Sequence, residues 1–405
     1  MNVRTLQATY FARGIPAPLT ATQLISLHLY LYRPRGEENS SDPLFGPYIS
    51  ALPRNFDGHP LTWLVEPAIS IEENSLLETL PPSVYDALQQ LHTRFLEDWT
   101  AVSEFMRTNS TTIEQLSIHA NRDSQISLVD FVWAWLTVNT RCIYYRLKAS
   151  KSDPDNLTMC PILDFANHTT VLPHITPVPT NADLWDAAPI KRLGDDFSFI
   201  SPGDATIKAG EELYLTYGSH SNRTLFVEYG FVNQNFEDAV SKMNCEEAEG
   251  EVHVQDIVEQ LISPDTPFGS IIKNVLCDEG YWGDWTLHAL PKPAHPSYRL
   301  ITALRLYHHA IAHHSVQEDI LKPWRDVIMG LRENISGINE AQWRQSLVNI
   351  CDTLIARAEP HIRVRSERED KLWYSRISSN IETLWIEENA VAMTVKTSIL
   401  RGEEF

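Results

Sequence analysis

Between about residues 158 and 232 the helical rhythm of this 405-residue chain breaks, and no all-helical fold can absorb that stretch. The short apolar runs there, Phe197–Ile200 and Leu213–Thr216, are separated by Pro202-Gly203 and by Lys208-Ala209-Gly210. Runs of this length, bounded by Pro and Gly, predict short strands. On either side apolar residues recur at helical spacing. Ala21–Tyr32 is one such segment. Pro81-Pro82-Ser83 opens another, in which Leu88, Leu91, Phe95, Trp99, Val102 and Phe105 mark one buried face. A third runs from about Leu128 to Tyr145. Its Phe131-Val132-Trp133-Ala134-Trp135 stretch is apolar all round, which predicts a fully buried helix. Beyond the acidic segment Cys245–Glu251 the pattern is helical again, with Tyr298–His313 and Leu372–Leu400 carrying the clearest periodicity. Phe45–Pro53, with two prolines and Gly46, reads as irregular and turn-bounded. The expected fold class is α+β, a helix-interrupted β region followed by an all-α region. A chain of this length predicts two or three domains.

Composition narrows the function classes. The formal charge of −20 repels nucleic-acid phosphates; solubility alone is the simpler reading of it, and by steering it supports a basic partner without establishing one. No apolar run approaches the ~18 residues that a membrane-crossing helix needs, and Met1-Asn2-Val3-Arg4 lacks the apolar core of a secretory signal. The five cysteines, at 142, 160, 245, 277 and 351, have no close paired spacing. That pattern excludes a Cys-x-x-Cys zinc module and argues against a disulfide framework. A cytoplasmic or nuclear protein is expected, without direct nucleic-acid or membrane binding. His308, His309, His313 and His314 crowd one helix, but no acidic or Cys partner sits at a matching interval, so a polar helix face is the better reading than a metal site. No P-loop and no G-x-G-x-x-G is present.

Two segments carry chemistry. One is Cys160-Pro161-Ile162-Leu163-Asp164-Phe165-Ala166-Asn167-His168. The other runs Glu211-Glu212-Leu213-Tyr214-Leu215-Thr216-Tyr217-Gly218-Ser219-His220-Ser221-Asn222 and continues to Glu228-Tyr229-Gly230-Phe231-Val232. Taken singly, each has a structural explanation: Asp-x-x-Asn-His as a capped turn, Tyr-Gly as a strand end. In this order the two segments resemble the SET-domain methyltransferases, in particular the branch typified by the Rubisco large-subunit lysine methyltransferase, which includes fungal ribosomal-protein lysine methyltransferases. Pro47-Tyr48-Ile49 through Leu52-Pro53 to Pro60-Leu61-Thr62-Trp63 looks like that branch's opening signature. Trp133-Ala134-Trp135 with Val138-Asn139-Thr140-Arg141 looks like its helical insert and the Arg that follows. The helical remainder is similar in kind to its C-terminal substrate-binding domain.

The resemblance implies a SET domain built from a partial N-terminal region (1–63), a helical insert (64–150) and a core (151–240), with a helical domain at 241–405. It implies S-adenosyl-L-methionine as cofactor, held by Arg141, Asp164, Phe165, Asn167, His168, Tyr229, Gly230 and Phe231 where two segments thread past each other. Asn167 would hold the methionine part, backbone near His168 the adenine edge, and the planar charge of Arg141 suits a carboxylate. Tyr217 is the catalytic candidate, its hydroxyl orienting methyl and amine by weak C–H···O contacts. No metal is implied. The expected activity is methylation of a lysine on a basic protein, with ribosomal proteins among the candidates. Relatives begin with a G-x-G-type loop against the cofactor. The segment Ala12-Arg13-Gly14-Ile15 lacks its second glycine. Either the chain is truncated or mis-started, or the pocket lacks that wall, with a SET-derived protein-binding module of impaired catalysis as the alternative to the enzyme.

Overall fold

The computed structural model describes residues 1–12, 18–65, 76–110, 113, 127–148, 150–170, 174–179, 197–201, 203, 206–233, 250–362 and 372–405. Gly14, Pro202 and most of the Cys245–Glu251 segment lie outside these residues, as does the end of the 151–240 region. Among the described residues helices dominate, with four small sheets, so the α+β expectation holds. The described residues fall into two units, one within 1–75, 88–220 and 224–231, the other within 76–87, 221–223 and 232–405.

The first unit begins with helices α1 (Val3–Phe11) and α2 (Ala21–Tyr32), each opened by a capping box, Asn2 with Thr5 and Thr20 with Gln23. Such reciprocal caps satisfy amide groups that a helix start leaves unpaired. Asp42 does comparable work for α3 (Gly46–Ala51): its Oδ1 accepts from the Leu44 and Phe45 amides, and its carbonyl accepts from Gly46. The expectation of an irregular Phe45–Pro53 is thus corrected. Pro47 sits in the first turn, where no N–H is needed, and so starts this helix instead of breaking it. Helix α4 covers Pro60–Val65.

Helix α5 (Pro82–Thr108) buries Leu88, Leu91, Phe95, Val102 and Phe105 as its spacing predicts, with Trp99 half-buried. Helix α6 (Leu128–Arg141) buries every residue from Phe131 to Val138 and packs on α2. Its Phe131 ring meets Phe95 at 5.8 Å and Trp99 at 5.1 Å. The helix expected to reach Tyr145 stops at Arg141. Cys142–Tyr144 forms strand β1, antiparallel to β2 (Leu157–Met159), so β-sheet formers here follow a tertiary partner rather than the preceding helix. Further along are β3 (Asn167–His168), β4 (Thr176–Pro179), β5 (Phe197–Ile200) and β6 (Tyr214–Leu215), then helix α7 (Asn222–Tyr229). β4 and β5 pair antiparallel; β3 and β6 pair parallel. The Phe197–Ile200 run is a strand, as expected, and of Leu213–Thr216 the central pair Tyr214–Leu215 is.

The second unit is not all-α. Strands β7 (Glu251–His253), β8 (Thr286–His288) and β9 (His295–Pro296) form an antiparallel sheet. Three residues or fewer, largely polar, give no alternation for sequence reasoning to detect. Around the sheet lie α8 (Gln255–Ile262), α9 (Pro267–Asp278), α10 (Tyr298–His313), α11 (Glu318–Ile328), α12 (Gly337–Ile362) and α13 (Leu372–Leu400). The bounds of α10 and α13 match those read from periodicity. Trp285, Trp324 and Trp343 centre the core.

One buried polar feature of this unit makes a testable demand. Glu387 and Glu388 of α13 are 5% and 6% exposed. Glu387 Oε2 accepts from Asn222 Nδ2 at 2.7 Å, and Glu388 Oε1 accepts from Ser83 Oγ at 2.7 Å. Burial pushes the two carboxyls up, to about 8 and about 7 respectively. A carboxyl raised on folding favours the native state while protonated. Its contribution is complete below the ordinary value of 4.5 and is lost as pH rises towards about 8. Glu387→Gln keeps an acceptor for Asn222 without a titrating group. Chemical denaturation should show the variant gaining on the parent as pH rises through that window; parallel pH profiles would contradict the assignment.

Candidate functional site

The parallel β3–β6 pair joins the two chemistry-bearing segments. Asn167 is opposite Tyr214 and His168 opposite Leu215. The Thr169 amide donates to the Leu215 carbonyl at 3.0 Å, and Thr216 Oγ1 donates to the Thr169 carbonyl at 2.8 Å. Leu163, Ile175 and Leu215 make a small core beneath. Because successive strand residues face opposite sides, Asn167 and His168 diverge. Asn167 is exposed and its amide donates to Glu212 Oε1 at 2.5 Å, while Tyr214 OH donates to Glu212 Oε2 at 2.8 Å. The structure therefore does not bring the Asn167 side chain together with the other candidates.

His168 turns the other way. Its Nδ1 accepts from the Tyr217 amide at 3.1 Å, which leaves the ring proton on Nε2. The rings of His168, Tyr217, Tyr229 and Phe231 form one cluster: His168–Tyr217 5.1 Å, Tyr217–Tyr229 5.3 Å, His168–Phe231 5.8 Å and Tyr229–Phe231 6.1 Å between centroids. The Tyr217 hydroxyl donates to the Ala166 carbonyl at 3.0 Å. Burial raises the pKa of both Tyr217 and Tyr229, so both stay neutral phenols.

Arg141, the last residue of α6, supplies the positive charge. Its Nη1 donates to the Asp164 carbonyl at 2.9 Å and contacts Oδ2 at 3.3 Å. Its guanidinium carbon is 5.8 Å from the Phe165 ring centre. Tyr48 OH donates to the same Oδ2 at 2.6 Å. The Asp164 side chain is 0% exposed, and burial pushes its carboxyl up against the opposing pull of Tyr48 and Arg141. Ile162, just before, is held at φ +79°, a region costly for a β-branched residue and met chiefly where the surroundings enforce it. The Tyr217 hydroxyl bonds to Ala166 and the Arg141 guanidinium faces Phe165, so ring cluster and ion pair adjoin along the Asp164–Ala166 segment. Around the ion pair and the ring cluster, Arg141 Nε, Asp164 Oδ1 and His168 Nε2 are buried without a partner among the described residues, as is His59 Nε2.

The Tyr229-Gly230-Phe231 turn is fastened by Glu228. Its carbonyl accepts from Asn139 Nδ2 at 3.0 Å, and its carboxylate accepts from Asn139 at 3.1 Å and from Arg94 at 2.6 Å. Gly230 has φ +82°, and a Cβ there would lie 3.1 Å from His59 Cδ2. His59 is fully enclosed, and burial lowers its pKa to about 4, so the wall behind Gly230 is a neutral imidazole. Sequence reasoning missed Tyr48, His59 and Glu228 as site residues. Tyr48 at least lay inside a quoted motif, whereas nothing marked His59. Cys142 and Cys160 are free, with thiols pushed up by burial. In α10, His309 is buried against the Ile320 carbonyl at 2.8 Å and His308 meets Ser346 at 2.8 Å. Among the described residues no group of three or more His, Cys, Asp or Glu could hold a metal, and no helix is long and apolar enough to cross a membrane.

No family profile matches the chain. Among curated proteins it is 27% identical over 306 residues to "Ribosomal lysine N-methyltransferase 2" of Saccharomyces cerevisiae, covering 71% of this chain and 58% of that protein. It is 25% identical over 392 residues to "SET domain-containing protein 4" of Homo sapiens, covering 95% and 76%. It is 27% identical over 239 residues to "Ribosomal lysine N-methyltransferase set11" of Schizosaccharomyces pombe, covering 59% and 47%. The matches thus span less than two thirds of either yeast protein. They bear out the resemblance to SET-domain protein lysine methyltransferases, fungal ones included.

Proposed function

We propose that this relative of the SET-domain protein lysine methyltransferases moves a methyl group from S-adenosylmethionine to a lysine side chain of a protein. The observation that carries the reading is that Arg141, Asp164 and His168, which adjoin the cluster of Tyr and Phe rings through the Asp164–Ala166 segment, each keep a buried polar atom without a partner among the described residues. Buried polar atoms are ordinarily paired, so three together mark a ligand's place. The set fits the cofactor: two donors and one acceptor, of which Arg141 and Asp164 suit the carboxylate and ammonium of an amino-acid group. When bound, S-adenosylmethionine supplies an electrophilic methyl for in-line displacement.

The chain's own residues do the rest. Arg141, Asp164 and His168 bind, and the rings of Tyr229 and Phe231 exclude water. Tyr217, already donating to Ala166, keeps hydroxyl lone pairs free to orient the methyl and the incoming amine. A partly dry channel lowers the pKa of that amine towards the neutral nucleophile. Asn167 would join the site only by exchanging its bond to Glu212. In this reading residues 1–63 and 151–240 make a SET core, 64–150 its helical insert, and 241–405 a substrate-binding region. The names of the yeast relatives and the charge of −20 favour a basic, ribosomal substrate.

Calorimetric titration with S-adenosylmethionine, followed by transfer of labelled methyl to a basic-protein extract and mass spectrometry of the modified residue, tests this. Binding and methyl-lysine are expected. Absence of both would favour a SET-derived binding module, and a methylated residue other than lysine would correct the acceptor.

A further inference from the structure

We infer that Tyr48 is a positioning residue of this site: its hydroxyl fixes Asp164 Oδ2 and thereby aims Oδ1, the free buried carboxylate oxygen, at an N–H donor of the ligand. This rests on the methyl-transfer reading, with that ligand the ammonium end of S-adenosylmethionine. Tyr48 belongs to α3, far in sequence from the motifs that carry Arg141 and Asp164, and only the fold brings its hydroxyl to the carboxylate.

The geometry assigns the two oxygens different tasks. Oδ2 accepts from Tyr48 at 2.6 Å and from Arg141 at 3.3 Å. The first distance is that of a charge-assisted O–H···O bond. Oδ1 is as deeply enclosed and accepts from nothing among the described residues. A carboxylate without Tyr48 would be free to rotate Oδ2 into the site or to take up a proton, and a protonated Oδ1 would present the wrong polarity to an ammonium group. The ionisable groups facing Asp164 are Tyr48 from α3, Arg141 from α6, Cys142 from β1, Cys160 beyond β2, the amine of Met1, and Tyr217 beyond β6. Burial raises the Asp164 pKa and makes the largest contribution; Tyr48 and Arg141 oppose it. Losing the Tyr48 bond therefore raises it further.

Tyr48→Phe keeps the ring that packs 6.1 Å from Phe165 and removes only the hydroxyl. Calorimetric titration with S-adenosylmethionine across pH, with thermal melts to verify folding, reads the effect. The expected result is about tenfold weaker binding at neutral pH, the scale of one hydrogen bond to a charged group. Affinity should also fall away at a higher pH than in the parent as acid is added. Asp164→Asn should bind weakly with no such pH dependence. A parent that binds while Tyr48→Phe matches its affinity and pH profile overturns this inference alone. A pH-dependent loss that persists in Asp164→Asn overturns it as well. A parent that binds no S-adenosylmethionine overturns the methyl-transfer reading together with it.

Discussion

Tyr217→Phe is expected to slow methyl transfer by about 10²–10³-fold while leaving S-adenosylmethionine binding close to that of the parent. That range is typical of removing one preorganised polar group from a reaction centre. The substitution spares the ring and hence its contacts with His168 and Tyr229. It deletes the hydroxyl whose proton is committed to the Ala166 carbonyl. That commitment turns the oxygen's lone pairs outward, and burial keeps the group a phenol because it raises the pKa. The weak C–H···O contacts are worth only about 0.5–1 kcal/mol each. A large loss of rate would therefore signal orientation of methyl and amine together. Single-turnover transfer and calorimetry on the same preparation separate the two quantities. An unchanged rate would remove Tyr217 from the chemistry, and a parallel loss of binding would make its role structural.

Arg141→Met should have the largest effect on stability. The Asp164 side chain is wholly buried and Arg141 is 18% exposed, so the variant strands a carboxylate that retains only the Tyr48 bond. Breaking a buried pair from one side typically costs about 3–5 kcal/mol. Protonation is the carboxylate's escape, so the penalty should shrink as pH falls and grow as it rises. Arg141→Lys restores a charged donor but not the guanidinium plane that faces the Phe165 ring, and should recover only part of the loss. Denaturant titrations at several pH values measure both. A loss below about 1 kcal/mol, the scale of an exposed ion pair, would show that Asp164 is solvated rather than held.

The helices were the most legible part of this chain. Leu88 through Phe105, the apolar Phe131–Trp135 block and the full spans of α10 and α13 follow from local spacing alone, because one buried helix face repeats within a few residues. Where a neighbour decides, local reasoning overran. Cys142–Tyr144 leaves its helix to pair with Leu157–Met159, and Asp42 turns a proline-rich stretch into α3. The candidate site shows the same division. The motifs led to His168, Tyr217, Tyr229, Phe231, Arg141 and Asp164, which the fold assembles. They could not show that strand alternation sends Asn167 to Glu212. Nor could they show that Tyr48 of α3 and His59, just ahead of α4, join the site. Those placements are set by contacts between residues far apart in sequence, which leave no periodic trace.

The ladder that joins the two halves of the site is two residues long on each side, and its partners stand 47 positions apart. Closing a loop of that size costs chain entropy before any contact rewards it. So short a ladder returns little of that cost by itself. A ligand touching both His168 and the Arg141–Asp164 pair would bridge the closure and add its binding free energy to it. Cofactor concentration would then act on the protein as a folding variable, setting how much of the population holds an assembled site.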